Sequence, residues 1–222
     1  MSIIRVAIFG AGGLGREVAE MLRDAAAAGL PLSPLGFVVD AAFDAPAKVH
    51  GLPVWRDAAA LLRQDPSVRI LIAIGNPTRR AEAVRRVEAL AGPRFATLIH
   101  PRALVGRTVT VGPGSVVAGL SSITADVTVG RHVLVNPGVT IAHDCRIGDF
   151  VSIGPGTALA GGVVVEDGAE LGVGARVMPH CRIGRSAFVG AGAVVIRDVE
   201  AGRTAVGVPA RLLAARQEAP SG

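Results

Sequence analysis

The chain has 222 residues, half of them apolar, enough to bury a core in one large domain or two small ones. Only 3% of the residues are aromatic, with no Tyr and the single Trp55, while Gly numbers 29, so the space being filled is narrow. The charge of +5 comes from scattered arginines, with Lys48 the only lysine. This pattern lacks the basic stripe and stacking aromatics of a nucleic-acid binder and reads as a solvated surface with some attraction for phosphorylated small ligands.

The first apolar stretch, Met1 to Gly10, is interrupted by Arg5 and followed by glycines, unlike a signal peptide. No run reaches the roughly 18 apolar residues of a membrane span, and a cytoplasmic location is expected. Strands and helices then alternate. Ile3 to Phe9 reads as a buried strand, Leu14 to Ala27 as a helix, Leu35 to Val39 as a strand, Asp57 to Gln64 as a helix, Ile70 to Ile74 as a strand and Thr78 to Leu90 as a helix. Gly10, Gly12, Gly13 and Gly15 fall between the first strand and its helix, in the G-x-G-x-x-G context that points helix amides at a phosphate. Asp40 closes the second strand, where a carboxylate can accept from ribose hydroxyls. Fewer than 100 residues of this pattern make about half of a dinucleotide fold, so a mononucleotide, such as the nucleoside diphosphate of an activated sugar, fits better than NAD. The competing reading is that the glycines only permit a tight turn.

From Ile99 the period becomes six. Stepping by six from Ile99 to Val195 meets only aliphatic residues, and the position four further on, from Ala103 to Val199, is always small or β-branched. Gly, Pro, Asp, Asn and Arg lie between. A large and a small inward residue per hexad suit a short strand and a turn, three of which close one triangular coil too narrow for rings. The seventeen hexads, Ile99 to Glu200, run in frame without insertion. This pattern resembles the left-handed parallel β-helix of the hexapeptide acyltransferases, and the left-handed turn is implied by that resemblance. The expected architecture is a Rossmann-like α/β half-domain over 1–95, a left-handed parallel β-helix over 96–210 and a tail over 211–222.

Acyl transfer from a thioester needs a base for the attacking amine or hydroxyl, an amide for the developing oxyanion and a cleft for the pantetheine arm. Of five histidines, His50 lies in the front part and His100 at the junction, leaving His132, His143 and His180 within the coils. His143 occupies a turn, so its ring should project outward, and eighteen residues on stand Gly161 and Gly162, whose missing side chains would open the wall beside it. On this evidence alone His143 is either functional or a solvated turn histidine. Asp144 and Asn136 are also residues that turns favour for their own sake. The spacing of the three histidines contains no close pair, unlike a zinc site on the same helix.

The stretches His143-Asp144-Cys145, Ile147-Gly148-Asp149-Phe150 and Leu159-Ala160-Gly161-Gly162 resemble the sugar acetyltransferases typified by the bacillosamine N-acetyltransferase and the sialic acid O-acetyltransferases. So do the Gly10 to Gly15 loop, Ala73-Ile74-Gly75-Asn76 and Gly207-Val208-Pro209-Ala210. The resemblance implies that His143 is the general base, that Asp144 raises its basicity and that acetyl-CoA is the co-substrate, with no metal. It implies further that Gly12, Gly13, Leu14, Gly15, Asp40 and Asn136 meet the nucleotide-linked sugar, and that Ser152, Gly161, Val173 and Arg182 line the cofactor groove. The Gly161 amide would meet the oxyanion, and three subunits would build three sites between them. Relatives often carry His where this chain has Leu14 and Ser152. The expected reaction is N-acetylation of a nucleotide-linked amino sugar; O-acetylation of a sugar or sialic acid hydroxyl and a non-catalytic sugar-nucleotide-binding trimer are the alternatives. Cys145 and Cys181 share the small inward slot two coils apart, too far for a disulfide.

Overall fold

The computed structural model describes residues 3–40, 43–92 and 94–213. β1 (Ile4–Phe9) lies between β2 (Leu32–Val38) and β5 (Arg69–Ile72), parallel to both, and β3 (Lys48–Val49) and β4 (Leu52–Trp55) complete the order β3-β4-β2-β1-β5. Period-two alternation gives β1 two buried faces. Val6 and Ile8 pack with α1 (Gly13–Ala27), and Ala7 and Phe9 pack with α2 (Ala58–Gln64) and α3 (Pro77–Ala91). Asp57 and Asn76 cap α2 and α3 with their side chains, and Pro77 opens α3. The six elements expected from sequence stand within three residues of their observed ends, and the β3–β4 hairpin was not foreseen. Its two-residue turn, His50 and Gly51, has both φ angles positive, the hairpin geometry that Gly favours.

From Leu98 the chain winds as a left-handed parallel β-helix. Two-residue strands pair with the strand eighteen residues on, as Ser122–Ile123 does with Thr140–Ile141. Three faces result. Face one carries Leu98–Ile99, Leu134–Val135, Ser152–Ile153 and their partners; face two carries Leu104–Val105, Thr140–Ile141 and theirs; face three carries Thr110–Val111, Arg146–Ile147 and theirs. The fourth residue of each hexad from Gly114 to Gly192 has positive φ and makes the corner. Inside, the large slot is filled by residues such as Ile123, Ile141 and Ile153, each fully buried and each contributing about 1.5–3 kcal/mol of transfer free energy. Hydroxyls in the small slot are satisfied by turn carbonyls: Ser121 Oγ donates to Asn136 O at 3.0 Å and Thr157 Oγ1 to Gly172 O at 3.0 Å. Cys145 and Cys181 are free buried thiols, and burial pushes both up from their ordinary range.

The expected frame stops short of its end. Val199 pairs with Ile183 and Ala205 with Val189, separations of 16 and not 18, so the last coil closes two residues early. Of the expected tail, Arg211–Leu212 pairs antiparallel with Thr204–Val206, and residues 214–222 lie outside the described residues.

The α/β part sits on face one. Val116, Ala118 and Leu134 of the coil join the core of α1, and Phe150 joins that of α3. His100, nearly buried, bonds Asp24 of α1 through Nε2 at 3.0 Å. Among the described residues no helix is long and apolar enough to cross a membrane.

Candidate functional site

The N-terminus of α1 has Gly12 as its cap, no side-chain cap bond and no acidic residue in its first turn, so its free amides face outward as an anion-binding end. The four glycines divide by role. Gly10 has φ +111° and lies against Ala73 O, and a side chain on Gly15 would overlap Gly10 O; both glycines permit strand, turn and helix to pack. A Cβ on Gly12 or Gly13 would meet nothing within 4 Å. Gly12 and Asp40 line one cavity of about 500 Å³ at the carboxyl ends of β1, β2 and β5, the edge where open α/β sheets take ligands. Gly13 and Leu14 line a second, of about 340 Å³, between α1 and face one. Gly15 lines neither.

The first cavity also holds charge that sequence reasoning missed. Arg79, Glu82 and Arg86 are one face of α3 at helical spacing, and Arg86 forms an ion pair with both oxygens of Asp40. The Asp40 carboxylate, accepting from it, holds the Arg86 guanidinium above its ordinary value. The arginines of α3 read as a solvated face in sequence; the i, i+3, i+7 spacing beyond the glycine loop was the available signal.

In the second cavity Leu14 and Gly13 face Asn136, Ser152, Glu170 and Val173 across the junction. The Asn136 amide donates to Ile153 O at 2.8 Å. Ser152 is nearly buried: its hydroxyl donates to Gly75 O at 2.7 Å and accepts from Arg80 Nη2 at 3.0 Å.

His143 projects from the corner between faces two and three, with its side chain 67% exposed. Asp144, in the positive-φ corner position, brings its carboxylate to 2.7 Å from His143 Nδ1. Across the ring, a Cβ on Gly161 would stand 2.6 Å from Cε1 and 2.8 Å from Nε2, so only glycine admits the imidazole there. Among the described residues the Gly161 amide donates to no other group. Gly162 serves differently: its amide bonds His143 O at 2.9 Å, and it lies under the His180 ring.

The four expected cofactor residues do not share one surface of one chain. Gly161 is at the corner of His143, and Arg182, on face three beyond it, is paired with Glu166 at 2.7 Å; Ser152 is on face one and Val173 at the corner between faces one and two. The period of eighteen dictates this separation, since residues share an edge only at multiples of that spacing. His132 lies buried at the third corner, under Phe95 and Phe150. Among the described residues no group of three His, Cys, Asp or Glu converges to hold a metal ion.

The corner between faces two and three lies opposite face one, where the α/β part and both cavities sit. Within one chain His143 therefore lies at the corner opposite the face that carries the cavities of Asp40 and of Leu14.

Residues 5–87 match the PglD N-terminal domain, and residues 126–161 match the six-repeat bacterial transferase hexapeptide. The perosamine N-acetyltransferase of Caulobacter crescentus, solved as a histidine-to-asparagine variant with CoA and GDP-perosamine, is 38% identical with a TM-score of 0.86, covering 96% of this chain and 99% of that one. The acetyltransferase domain of PglB from Neisseria gonorrhoeae, solved with acetyl coenzyme A, is 33% identical with a TM-score of 0.83, covering 96% and 100%. The UDP-N-acetylbacillosamine N-acetyltransferase of Bacillus subtilis is 35% identical over 117 residues, half the length of each chain.

Proposed function

The chain belongs to the acetyl-CoA-dependent sugar acetyltransferases that join a PglD N-terminal domain to hexapeptide repeats, and from that membership we propose that it acetylates the amino group of a sugar carried on a nucleoside diphosphate. The observation that carries the reading is the constellation of His143, Asp144 and Gly161. Asp144 accepts from Nδ1 and so leaves the Nε2 lone pair free as the base, at the side of the ring that Gly161 leaves open. As the amine nitrogen attacks the thioester carbonyl, Nε2 takes its proton and the unengaged Gly161 amide holds the oxyanion. The intermediate then collapses, the carbon–sulfur bond breaks, and the imidazolium returns the proton to the departing CoA thiolate.

The relatives support amine over hydroxyl, being named for N-acetylation. In the Caulobacter relative, binding of both CoA and GDP-perosamine survives replacement of one histidine by asparagine or alanine. In this reading the nucleotide occupies the cavity of Gly12 and Asp40, its pyrophosphate meets the amides that open α1, and the sugar extends past Leu14 toward Asn136.

His143 lies opposite face one, so in this reading the sugar reaches His143 of the partner subunit and the protein works as a homotrimer. Face two, the flank that adjoins the His143 corner, suits this contact: Leu104, Thr140, Ala158, Ala160 and Met178 face outward there.

The test is release of CoA from acetyl-CoA with GDP-perosamine and with a UDP-linked 4-amino sugar as acceptors. The wild-type protein turns over at least one of them. His143→Ala lowers turnover by about 100- to 10,000-fold with substrate affinities little changed. Retention of more than about a third of wild-type turnover by His143→Ala removes this residue as the base.

A further inference from the structure

Arg80 is fully buried, yet it belongs to no ion pair among the described residues. All five of its N–H donors point at acceptors at the junction of the two parts. Nε donates to His132 O at 2.8 Å; Nη1 donates to Ile74 O at 2.7 Å and Gly75 O at 2.8 Å; Nη2 is shared among Phe150 O at 2.7 Å, Ser152 Oγ at 3.0 Å and Val151 O at 3.2 Å. Two of these acceptors belong to the Ala73-Ile74-Gly75-Asn76 turn and four to the coil. Ser152 closes the loop by donating to Gly75 O at 2.7 Å.

The surroundings are built around this grip. His132 and Phe150 stack at 5.2 Å, both in the positive-φ corner position, where a bulky side chain is strained and persists only if its packing holds it there. Phe95 meets His132 edge-on at 4.5 Å. Burial lowers the Arg80 guanidinium to about 10, still charged at neutral pH, with Glu170 across the second cavity favouring the charge. Gly75 and Ser152, both held by Arg80, are the wall of that cavity beside Leu14 and Asn136.

We infer that Arg80 is a positioning residue: by bonding the Ile74–Gly75 turn to the coil it fixes the height of the α/β part over face one, and so the distance at which a bound sugar is presented to the partner subunit's His143. The inference rests on the reading in the preceding section. It assigns the Ala73-Ile74-Gly75-Asn76 turn a task, which is to offer two adjacent carbonyls to one fork of the guanidinium. A lysine cannot replace it, because three donors on one nitrogen cannot span acceptors on opposite sides of the junction.

The coil has its own core, to which the α/β part contributes no residue, so loosening the junction leaves the coil folded. Arg80→Lys and Arg80→Met are compared with wild type in kcat, with GDP, UDP and CoA as binding probes. In both variants kcat falls about 10- to 100-fold, the scale of an ångström of misplacement, while Kd for the three probes stays within about two-fold. Ser152→Ala, which removes one link, lowers kcat by about 3- to 10-fold with an unchanged melting temperature. Equal kcat in Arg80→Lys and wild type, or a loss of nucleotide affinity as large as the loss of kcat, overturns the inference. If the wild-type protein itself turns over neither acceptor, the functional reading fails, and hydrogen exchange decides the junction separately: Arg80→Met exchanges faster at Gly75–Asn76 and 150–152, and unchanged exchange there overturns it.

Discussion

The His132 imidazole is 1% exposed, its Nδ1 has no hydrogen-bond partner among the described residues, and burial together with the Arg131 and Arg80 cations pushes it down to about 4. An unfolded histidine takes up its proton near 6.5. Between those values the unfolded chain binds the extra proton, so stability rises with pH through this window, is complete above 6.5, and loses roughly 3 kcal/mol on descending to 4. Urea unfolding at pH 5.0 and 7.5 should show a gap about 2 kcal/mol larger for wild type than for His132→Phe, and equal gaps contradict the assignment. Gly161 makes a second prediction at this scale. Ala at 161 places a methyl 2.6 Å from the His143 ring, which must turn away from Asp144, so turnover should fall about 10- to 100-fold with a melting temperature within a few degrees of wild type. Full activity in Gly161→Ala shows that the imidazole works from another orientation. The pairing of His143 with Gly161 could be foreseen from sequence because the coil period sets it. The closed environment of His132 could not, since Phe150 stands at the same corner one coil on but the other covering ring, Phe95, comes from a segment outside the hexads.

Among the elements, the glycine turn and α1 were readable because the strand, the glycines and the helix are contiguous and each glycine answers a local steric demand. α3 was readable as a helix and opaque as a surface. Arg79, Arg80, Arg85 and Arg86 look alike in the chain, and only tertiary packing decides that Arg80 is buried, that Arg86 grips Asp40 and that Arg79 stands at the cavity. The hairpin of β3 and β4 escaped notice because two residues of strand leave almost no periodicity. In the coil, the early closure after Val195 was hidden because Val199 fits the small slot of the expected frame as well as the place beside Ile183 that it takes in the shortened coil. The division of the glycines has a direct test. Gly12→Val adds its side chain into open cavity and should weaken GDP or UDP binding by more than about 10-fold while the melting temperature and CoA binding hold, measured by calorimetry. Loss of CoA binding to the same degree would place both ligands in one site and undo the assignment.

At the scale of the whole molecule, the hexad count announced a prism, and the prism has edges that cannot see one another. Which face the α/β part covers was not legible, because the contacts that decide it, Arg80 with His132 and Phe150, and His100 with Asp24, join segments with no shared pattern. In the proposed reading, the corner carrying His143, opposite the covered face one, meets a nucleotide-bound sugar held by another copy of the chain. Two inactive proteins should therefore repair each other. His143→Ala has an intact cavity and no base; Gly12→Val has the base and a blocked cavity. Unfolded together in equal amounts and refolded, they give mixed trimers in which about one site in four combines the sound half of each, so CoA release at subsaturating acceptor should recover to about a quarter of the wild-type rate, while each variant refolded alone stays below about a tenth of it. Recovery of no activity in mixtures shown by mass to contain both chains would mean that each chain builds its own site, and the shared-site account would be wrong.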